Sequence, residues 1–218
     1  MARRITRKSM KQDEFVEAAF DAGEWLEDNW KTVVIGLAAA VAVVLVVLGF
    51  LAWRGARQAE AGELLAEGLT FYRDSNPTEA LGLFEEASDK AGGGPLADVA
   101  TLYQGLAQLE AGNAAAALGP LDDVARSTSN PVLSATAKAN LAGALAAAGE
   151  AERAESVWRE LAAAENPYFP REMALLGLGK LLMAQGRAGE AQGVLREVVD
   201  DYPQTSSTAE AQALLDEI

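Results

Sequence analysis

Hydrophobic and polar positions follow two different patterns along this chain. Between Val33 and Trp53 the sequence VVIGLAAAVAVVLVVLGFLAW contains no charged residue. Downstream of this run, apolar residues recur at the spacing of amphipathic helices, and short turns containing Gly or Pro separate them. The first pattern predicts one long apolar helix, and the second predicts an all-α domain.

The apolar run has the length of a membrane-spanning helix. Its 21 residues would rise about 31 Å as an α-helix, which matches the hydrocarbon core of a bilayer. Trp25, Trp30 and Trp53 flank the run, and tryptophan is enriched at membrane–water interfaces. We therefore predict a transmembrane helix at residues 32–53.

A buried core helix and a cleavable signal peptide are the alternatives to a membrane anchor. The length of the uncharged run, flanked by Lys31 and Arg54, disfavours a core helix. A signal peptide has an apolar region of about 7–15 residues behind a short basic segment, whereas 32 residues precede this run. The sequence AEA at Ala59–Ala61 resembles a cleavage site but follows Arg54 and Arg57. The pattern favours an uncleaved signal anchor.

Basic residues predict the orientation of this anchor. Six of them precede the run, namely Arg3, Arg4, Arg7, Lys8, Lys11 and Lys31. Only Arg54 and Arg57 follow it closely. Because cytoplasmic flanks carry the excess of Lys and Arg, we expect residues 1–31 in the cytoplasm and residues 54–218 outside it. In a bacterium, this corresponds to the inner membrane with the C-terminal domain in the periplasm.

A short helix is predicted within the cytoplasmic tail, between Asp13 and Trp30. One helical face of this segment carries apolar residues, and acidic residues lie elsewhere. The apolar residues are Phe15, Ala19, Ala22 and Leu26. A solvated lead-in to the membrane helix explains this pattern more simply than a partner contact does.

The rest of the chain repeats itself at a spacing of 37 residues, in four copies without a gap. Gly68, Gly105, Ala142 and Gly179 share one position, and Ser75, Gly112, Gly149 and Gly186 share the next. Ala80, Ala117, Ala154 and Ala191 share a third position, and Phe84, Leu121, Trp158 and Leu195 share a fourth. A unit of this length that recurs in phase predicts a stack of similar structural elements.

Each position suits a role in a stack of helical hairpins. A small residue at the first position lets two antiparallel helices approach closely, and we expect the alanine of the third position to meet it. The large apolar residue fills the space between hairpins. Glycine at the second position suits a left-handed residue that ends the first helix. Pro95, Pro131, Pro167 and Pro203 interrupt the chain between units.

This order of residues resembles the tetratricopeptide repeat. The best match is LGLGKLLMAQGRAGEAQGVLREVVDDYP at Leu176–Pro203, and the resemblance covers about residues 61–208. The period is 37 rather than 34, and the first-helix Trp and Tyr are missing from most copies. We expect the extra residues in the connections between hairpins. The resemblance implies an all-α solenoid of four repeats, with SSTAEAQALLDEI as a C-terminal capping helix.

The resemblance also implies a partner-binding groove along the first helices of the hairpins. The expected groove residues are Leu65, Leu69, Tyr72, Leu102, Leu106, Leu109, Leu176 and Met183, with Ala139, Gly143, Ala146 and Lys180 at the matching positions. An apolar groove suits an extended hydrophobic segment or a partner helix. Alternatively, the chain's own C-terminal helix or a second copy covers it. If the groove is open, replacing Leu102 and Leu176 by Glu should weaken binding and spare the fold.

Composition argues against several classes of function. The chain has no Cys and no His, so it lacks thiol chemistry, the commonest general base and the commonest metal ligand. A net charge of −14 disfavours nucleic-acid binding. Acidic neighbours such as Glu85 and Glu86 point in different directions on a helix and form no two-carboxylate site. We therefore predict no catalytic residue, no metal and no cofactor, and a chain that is not an enzyme.

The layout as a whole suggests a more specific relationship. A short cytoplasmic tail, one membrane helix and a periplasmic repeat domain resemble the YfgM-like family of ancillary SecYEG translocon subunits. The resemblance implies contacts with the translocon and with periplasmic chaperones during protein export. The alternative is a structural adaptor for another envelope complex, in cell division or outer-membrane assembly. Gly36 and Ala40 form a small-xxx-small pair, which is compatible with a homo-oligomer.

Overall fold

Helices joined by short turns make up the part of the chain that the structure describes. The computed structural model describes the backbone of residues 7–163 and 167–218, and the side chains within these ranges from residue 25 onward. No strand occurs in these ranges. The helices are α1 (Arg7–Arg73), α2 (Pro77–Ala91), α3 (Pro95–Glu110), α4 (Ala114–Ser127), α5 (Pro131–Ala147), α6 (Ala151–Leu161), α7 (Arg171–Ala184), α8 (Ala188–Asp201) and α9 (Ser206–Asp216).

Helix α1 has the length and composition needed to cross a membrane. Its most apolar window has a mean hydropathy of 3.0, and none of that window is buried within the chain. This exposure argues against the core-helix alternative, whereas a signal sequence would share the same composition. The predicted tail helix falls within α1, which has no break near Lys31. Phe15, Ala19 and Ala22 lie outside the residues whose side chains are described.

The chain divides into two compact units, residues 1–55 and 56–218. In the second unit the last part of α1 forms the first helix of a hairpin with α2. The next hairpins are α3–α4, α5–α6 and α7–α8, and α9 packs against α7 and α8. Four hairpins and a final helix make an all-α solenoid of the predicted kind.

The turn inside each hairpin has the left-handed residue that the repeat predicts. Gly112, Gly149 and Gly186 have φ values of 79°, 84° and 74°. Ser75 occupies the matching position of the first hairpin, with a φ of 58°. Glycine adopts this conformation without the steric cost that a Cβ imposes, and Ser75 bears that cost in the first copy. This position of the repeat therefore requires a left-handed backbone conformation, and three of the four copies have Gly there.

The close approach of the paired helices rests on a glycine facing a large side chain. A Cβ on Gly105 would lie 2.6 Å from Cγ of Leu121, and one on Gly68 would lie 2.7 Å from Cε1 of Phe84. Gly179 has the same relationship to Leu195, at 2.5 Å. The large residue of the fourth position thus lies against the glycine of its own hairpin. The expected contact of the third-position alanine with this glycine stays a prediction.

The third hairpin solves the same packing problem differently. Ala142 occupies the glycine position there, and the large residue is Trp158, which is only half-buried. A Cβ on Gly177 would lie 2.7 Å from Cζ2 of Trp158. The indole ring therefore lies against α7 of the next hairpin, where Gly177 leaves room for it.

Two of the four prolines that the sequence places between repeat units begin the next helix. Pro95 and Pro131 stand at the first positions of α3 and α5, where a missing N–H costs nothing. Only residues 92–94 and 128–130 connect the first three hairpins. The expectation that the extra residues lengthen these connections is wrong there, because α3 and α5 have 16 and 17 residues. Nine residues separate the end of α6 at Leu161 from the start of α7 at Arg171, three of which lie outside the described residues.

An ion-pair cluster joins the third and fourth hairpins. Arg187, in the turn before α8, contacts Glu155 of α6 at 2.6 Å, and Arg159 contacts the same carboxylate at 2.7 Å. Hydrogen bonds from these two guanidinium groups hold the pKa of Glu155 below its ordinary value. The Glu155 side chain is only 16% exposed, so the cluster fixes α6 against the start of α8.

We expect Gly179→Ala to lower the free energy of unfolding by about 1–3 kcal/mol, because the new methyl group would overlap Leu195, which is fully buried. Gly143→Ala is the matched control, since a Cβ there meets nothing within 4 Å. Removing a helical glycine from an open position should raise stability by about 0.5–1 kcal/mol. Urea denaturation followed by circular dichroism measures both changes. Equal effects of the two substitutions would contradict this account of the hairpin contact.

Candidate binding groove

The first helices of the hairpins present three rows of residues at the predicted groove positions. The first row, Leu65, Leu102 and Leu176, is buried, with exposures of 9%, 5% and 7%. These side chains belong to the packed interior, where Leu102 joins a cluster with Leu121 and Leu141. The expectation that Glu at Leu102 and Leu176 would spare the fold therefore does not stand.

The second and third rows lie nearer the surface. Leu69, Leu106, Leu109, Tyr72 and Met183 are all half-buried and pack against the interior clusters. Their outer atoms remain available to a partner. A partner-binding role for these residues stays a prediction.

Aromatic rings fill the groove at the first two hairpins. Tyr72, Phe84 and Tyr103 pack together with ring centroids 5.5–6.3 Å apart. Burial raises the pKa of the Tyr72 hydroxyl above its ordinary value, and the Glu110 carboxylate, which accepts its hydrogen bond, raises it further. These neighbouring rings leave little depth at this end of the groove.

Small side chains open the groove at the third hairpin. At the three row positions α5 carries Ala139, Gly143 and Ala146, where α3 carries three leucines. On α7, Gly177 occupies the position at which α3 has Tyr103. Of these small residues, Ala146 and Gly177 line the cavity described below, whereas Ala139 and Gly143 do not. The missing large residues at these repeat positions were the sequence signal for a cavity, although the eight predicted groove residues do not include them.

A cavity of about 630 Å³ lies between α5, α7 and α9, beside α6. Its lining residues are Ala146, Ala151, Trp158, Met173, Leu176, Gly177, Lys180, Leu181, Ala184, Gln185, Ser206, Ser207 and Glu210. Of the eight predicted groove residues, Leu176 alone lines it. This size and this mixture of apolar surface with a few polar groups are typical of ligand pockets.

The cavity has an apolar wall and a polar mouth. The wall contains the buried residues Leu176 and Leu181 and the half-buried Trp158. At the mouth, Lys180 of α7 forms an ion pair with Glu210 of α9 at 2.7 Å, and both side chains are about half exposed. The mouth therefore carries one charge of each sign, and α9 supplies part of the site.

Helix α9 continues the stack and does not fill this cavity. Ala211 packs in the interior with Leu195 and Val198, while Ser206, Ser207 and Glu210 face the cavity. The alternative in which the C-terminal helix covers the whole groove therefore does not apply to this part of it. A second copy stays open as an occupant.

Charge is distributed unevenly between the two units. Residues 56–218 contain 25 acidic and 11 basic residues, a net charge of −14, whereas residues 1–55 contain seven of each. Eight of the basic side chains in the described part of the second unit form ion pairs. Most of the positive charge is thus neutralised locally, and the excess negative charge faces solvent.

Comparison with solved structures supports the same architecture. Nearly identical repeats of kinesin-light-chain type from Podosopora anserina match with a TM-score of 0.62 at 18% identity, covering 72% of this chain and 84% of that one. A tetratricopeptide repeat protein from Parabacteroides merdae matches with a TM-score of 0.58 at 19% identity, covering 72% of this chain and 59% of that one. At these identities the likeness concerns the fold. No curated protein matches the sequence.

The hairpin stack with its groove defines a tetratricopeptide-type solenoid, a class of scaffold that binds other proteins. The family model described as tetratricopeptide repeat-like domain matches residues 23–218. The chain belongs to this family. The predicted repeat fold is therefore confirmed.

We expect Leu102→Ala to lower the free energy of unfolding by about 2–5 kcal/mol, because it removes a buried side chain from the interior cluster. Met173→Ala should change it by no more than about 0.5 kcal/mol, since Met173 is 50% exposed at the cavity. Urea denaturation of both variants measures the difference. If Leu102→Ala barely changes the free energy of unfolding, Leu102 is not part of the packed interior and lines the open groove instead.

Proposed function

We propose that the protein is a membrane-anchored module that binds other proteins outside the cytoplasm. The observation that carries this proposal is the combination of a repeat stack, which has an open groove, with a helix apolar enough to span a bilayer. The anchor confines the groove to the membrane surface, where it meets partners at high effective concentration. The module acts by binding, without a reaction of its own.

The proposed orientation places residues 1–31 in the cytoplasm and residues 54–218 in the periplasm of a bacterium. The excess of basic residues before the apolar run supports it. In this arrangement the acidic repeat domain works beside the inner membrane.

The proposed partners are the Sec translocon and periplasmic chaperones during protein export. The support is the resemblance of the whole layout to ancillary SecYEG subunits, together with the repeat fold. The second candidate is a structural adaptor for cell division or outer-membrane assembly, because a repeat scaffold on the same anchor would serve there equally well.

Reporter fusions after Ile218 test the orientation. A reporter active only in the periplasm should be active, and one active only in the cytoplasm should not, because the basic residues hold the N-terminus inside. The reverse pattern would overturn both the orientation and the translocon assignment. Replacing Arg3, Arg4, Arg7, Lys8 and Lys11 by Gln should shift part of the population towards the opposite orientation.

Crosslinking in intact cells tests the partners. After mild crosslinking, the full chain should copurify with translocon subunits and periplasmic chaperones. A matched chain with α1 and an unrelated periplasmic domain in place of residues 56–218 is the control for recovery through the membrane alone. Copurification of division or outer-membrane assembly proteins in place of the translocon would favour the second candidate.

A further inference from the structure

We propose that the cavity between α5, α7 and α9 binds a short segment of a partner protein that carries bulky apolar side chains next to Lys or Arg. The inference rests on the proposed function, because it names the kind of partner segment that the same groove accepts. It concerns the chemistry of recognition and applies to either class of envelope partner.

The apolar part of the segment follows from the cavity wall. Trp158, Leu176 and Leu181 present aromatic and aliphatic surface, and the small side chains of Ala146 and Ala184 leave the volume unfilled. A volume of about 630 Å³ exceeds that of a single side chain. Bulky apolar anchors in such pockets dominate the affinity of protein–protein contacts.

The polar part of the segment meets the mouth of the cavity. Ser206, Ser207 and Gln185 offer hydroxyl and amide groups within reach of a ligand backbone. Ser207 is 5% exposed and lines the cavity. A few placed polar groups among apolar ones fix the orientation of a bound segment.

The positive charge of the segment follows from the charge of the unit. Residues 56–218 carry a net charge of −14, and Lys180 at the mouth is already paired with Glu210. A protein field of one sign attracts segments of the opposite sign and raises their association rate. Because an exposed ion pair contributes little, Lys180 can turn into solvent while Glu210 accepts a ligand cation. An acidic segment would meet repulsion instead.

The test uses the full chain in detergent micelles and fluorescein-labelled peptides, with binding read as fluorescence anisotropy. The basic apolar probe is Lys-Leu-Phe-Lys-Leu with blocked ends. The comparison peptides are the acidic apolar Glu-Leu-Phe-Glu-Leu and the basic polar Lys-Ser-Ser-Lys-Ser. Only the basic apolar peptide should bind well, and raising the salt concentration should weaken its binding. Equal binding of the acidic apolar peptide would overturn the charge requirement, and equal binding of the Ser peptide would overturn the apolar requirement.

Matched variants locate the binding. Ala184→Leu fills the cavity and should weaken binding about tenfold or more. Ala147→Leu is its control, because Ala147 is exposed, ends α5 as Ala184 ends α7, and does not line the cavity. Met173→Ala removes wall surface at an exposed position and should weaken binding about threefold. Unchanged binding in both cavity variants would show that the peptide binds elsewhere and would overturn the proposal.

Two charge variants test the mouth. Glu210→Gln should weaken binding of the basic peptide about fivefold, and Glu217→Gln, which changes the net charge equally away from the cavity, should change it less than twofold. A second outcome is that the acidic peptide binds the Glu210→Gln variant more strongly than the basic peptide binds the wild type. That result would contradict the assignment of a basic segment to the mouth of the cavity. A third outcome is that the wild type binds no peptide and forms oligomers as its concentration rises, whereas Ala184→Leu stays monomeric. This outcome would identify a second copy of the chain as the occupant of the cavity and overturn the proposal.

The outcomes separate this inference from the proposed function. Translocon subunits that crosslink equally to the wild type and to Ala184→Leu, with no peptide binding, would leave the module intact and reject the cavity. Peptide binding that Ala184→Leu abolishes, without any translocon crosslink, would support the cavity and reject the export assignment.

Discussion

In three of the four hairpins, the contact between a glycine on the first helix and a large apolar side chain on the second sets the close approach on which the repeat stack depends. At Gly105 and Leu121, no further carbon atom fits between the two helices. The same pair recurs at a spacing of 37 residues in the first, second and fourth hairpins. In the third hairpin Trp158 lies against Gly177 of α7 instead, and both residues line the cavity.

The cavity is a consequence of side-chain volume on a regular backbone. The first helices present the same positions along the stack, and leucine or tyrosine at those positions closes the groove over α1 and α3. On α5, Ala146 takes the place of a leucine and lines the cavity. The cavity exists on this backbone without any movement of the helices, so a segment that bound there would meet a surface that is already shaped. A binding site of this kind loses little free energy to reorganisation when it is occupied.

The repeat itself accounts for most of the fold that the sequence predicted. Glycine at a left-handed turn, a small residue at the close approach and four copies in phase specify the hairpins, because each has a single good structural explanation. The groove was harder to predict. The resemblance to the repeat family assigns Leu102 and Leu176 to the groove, yet both side chains are buried. Which row remains open depends on how consecutive hairpins pack, and a periodic pattern does not report that distance.

The three-residue turn inside each hairpin has a consequence for how such a chain can change. All four turns reverse the chain at the same point of the unit, and three use glycine in one conformation. A whole unit could therefore be duplicated or deleted between two turns without disturbing the hairpins on either side. The residues that line the cavity lie on two adjacent hairpins and the last helix. A duplication or deletion of an earlier unit would therefore leave the cavity intact. The number of repeats and the position of the cavity can therefore change independently of each other.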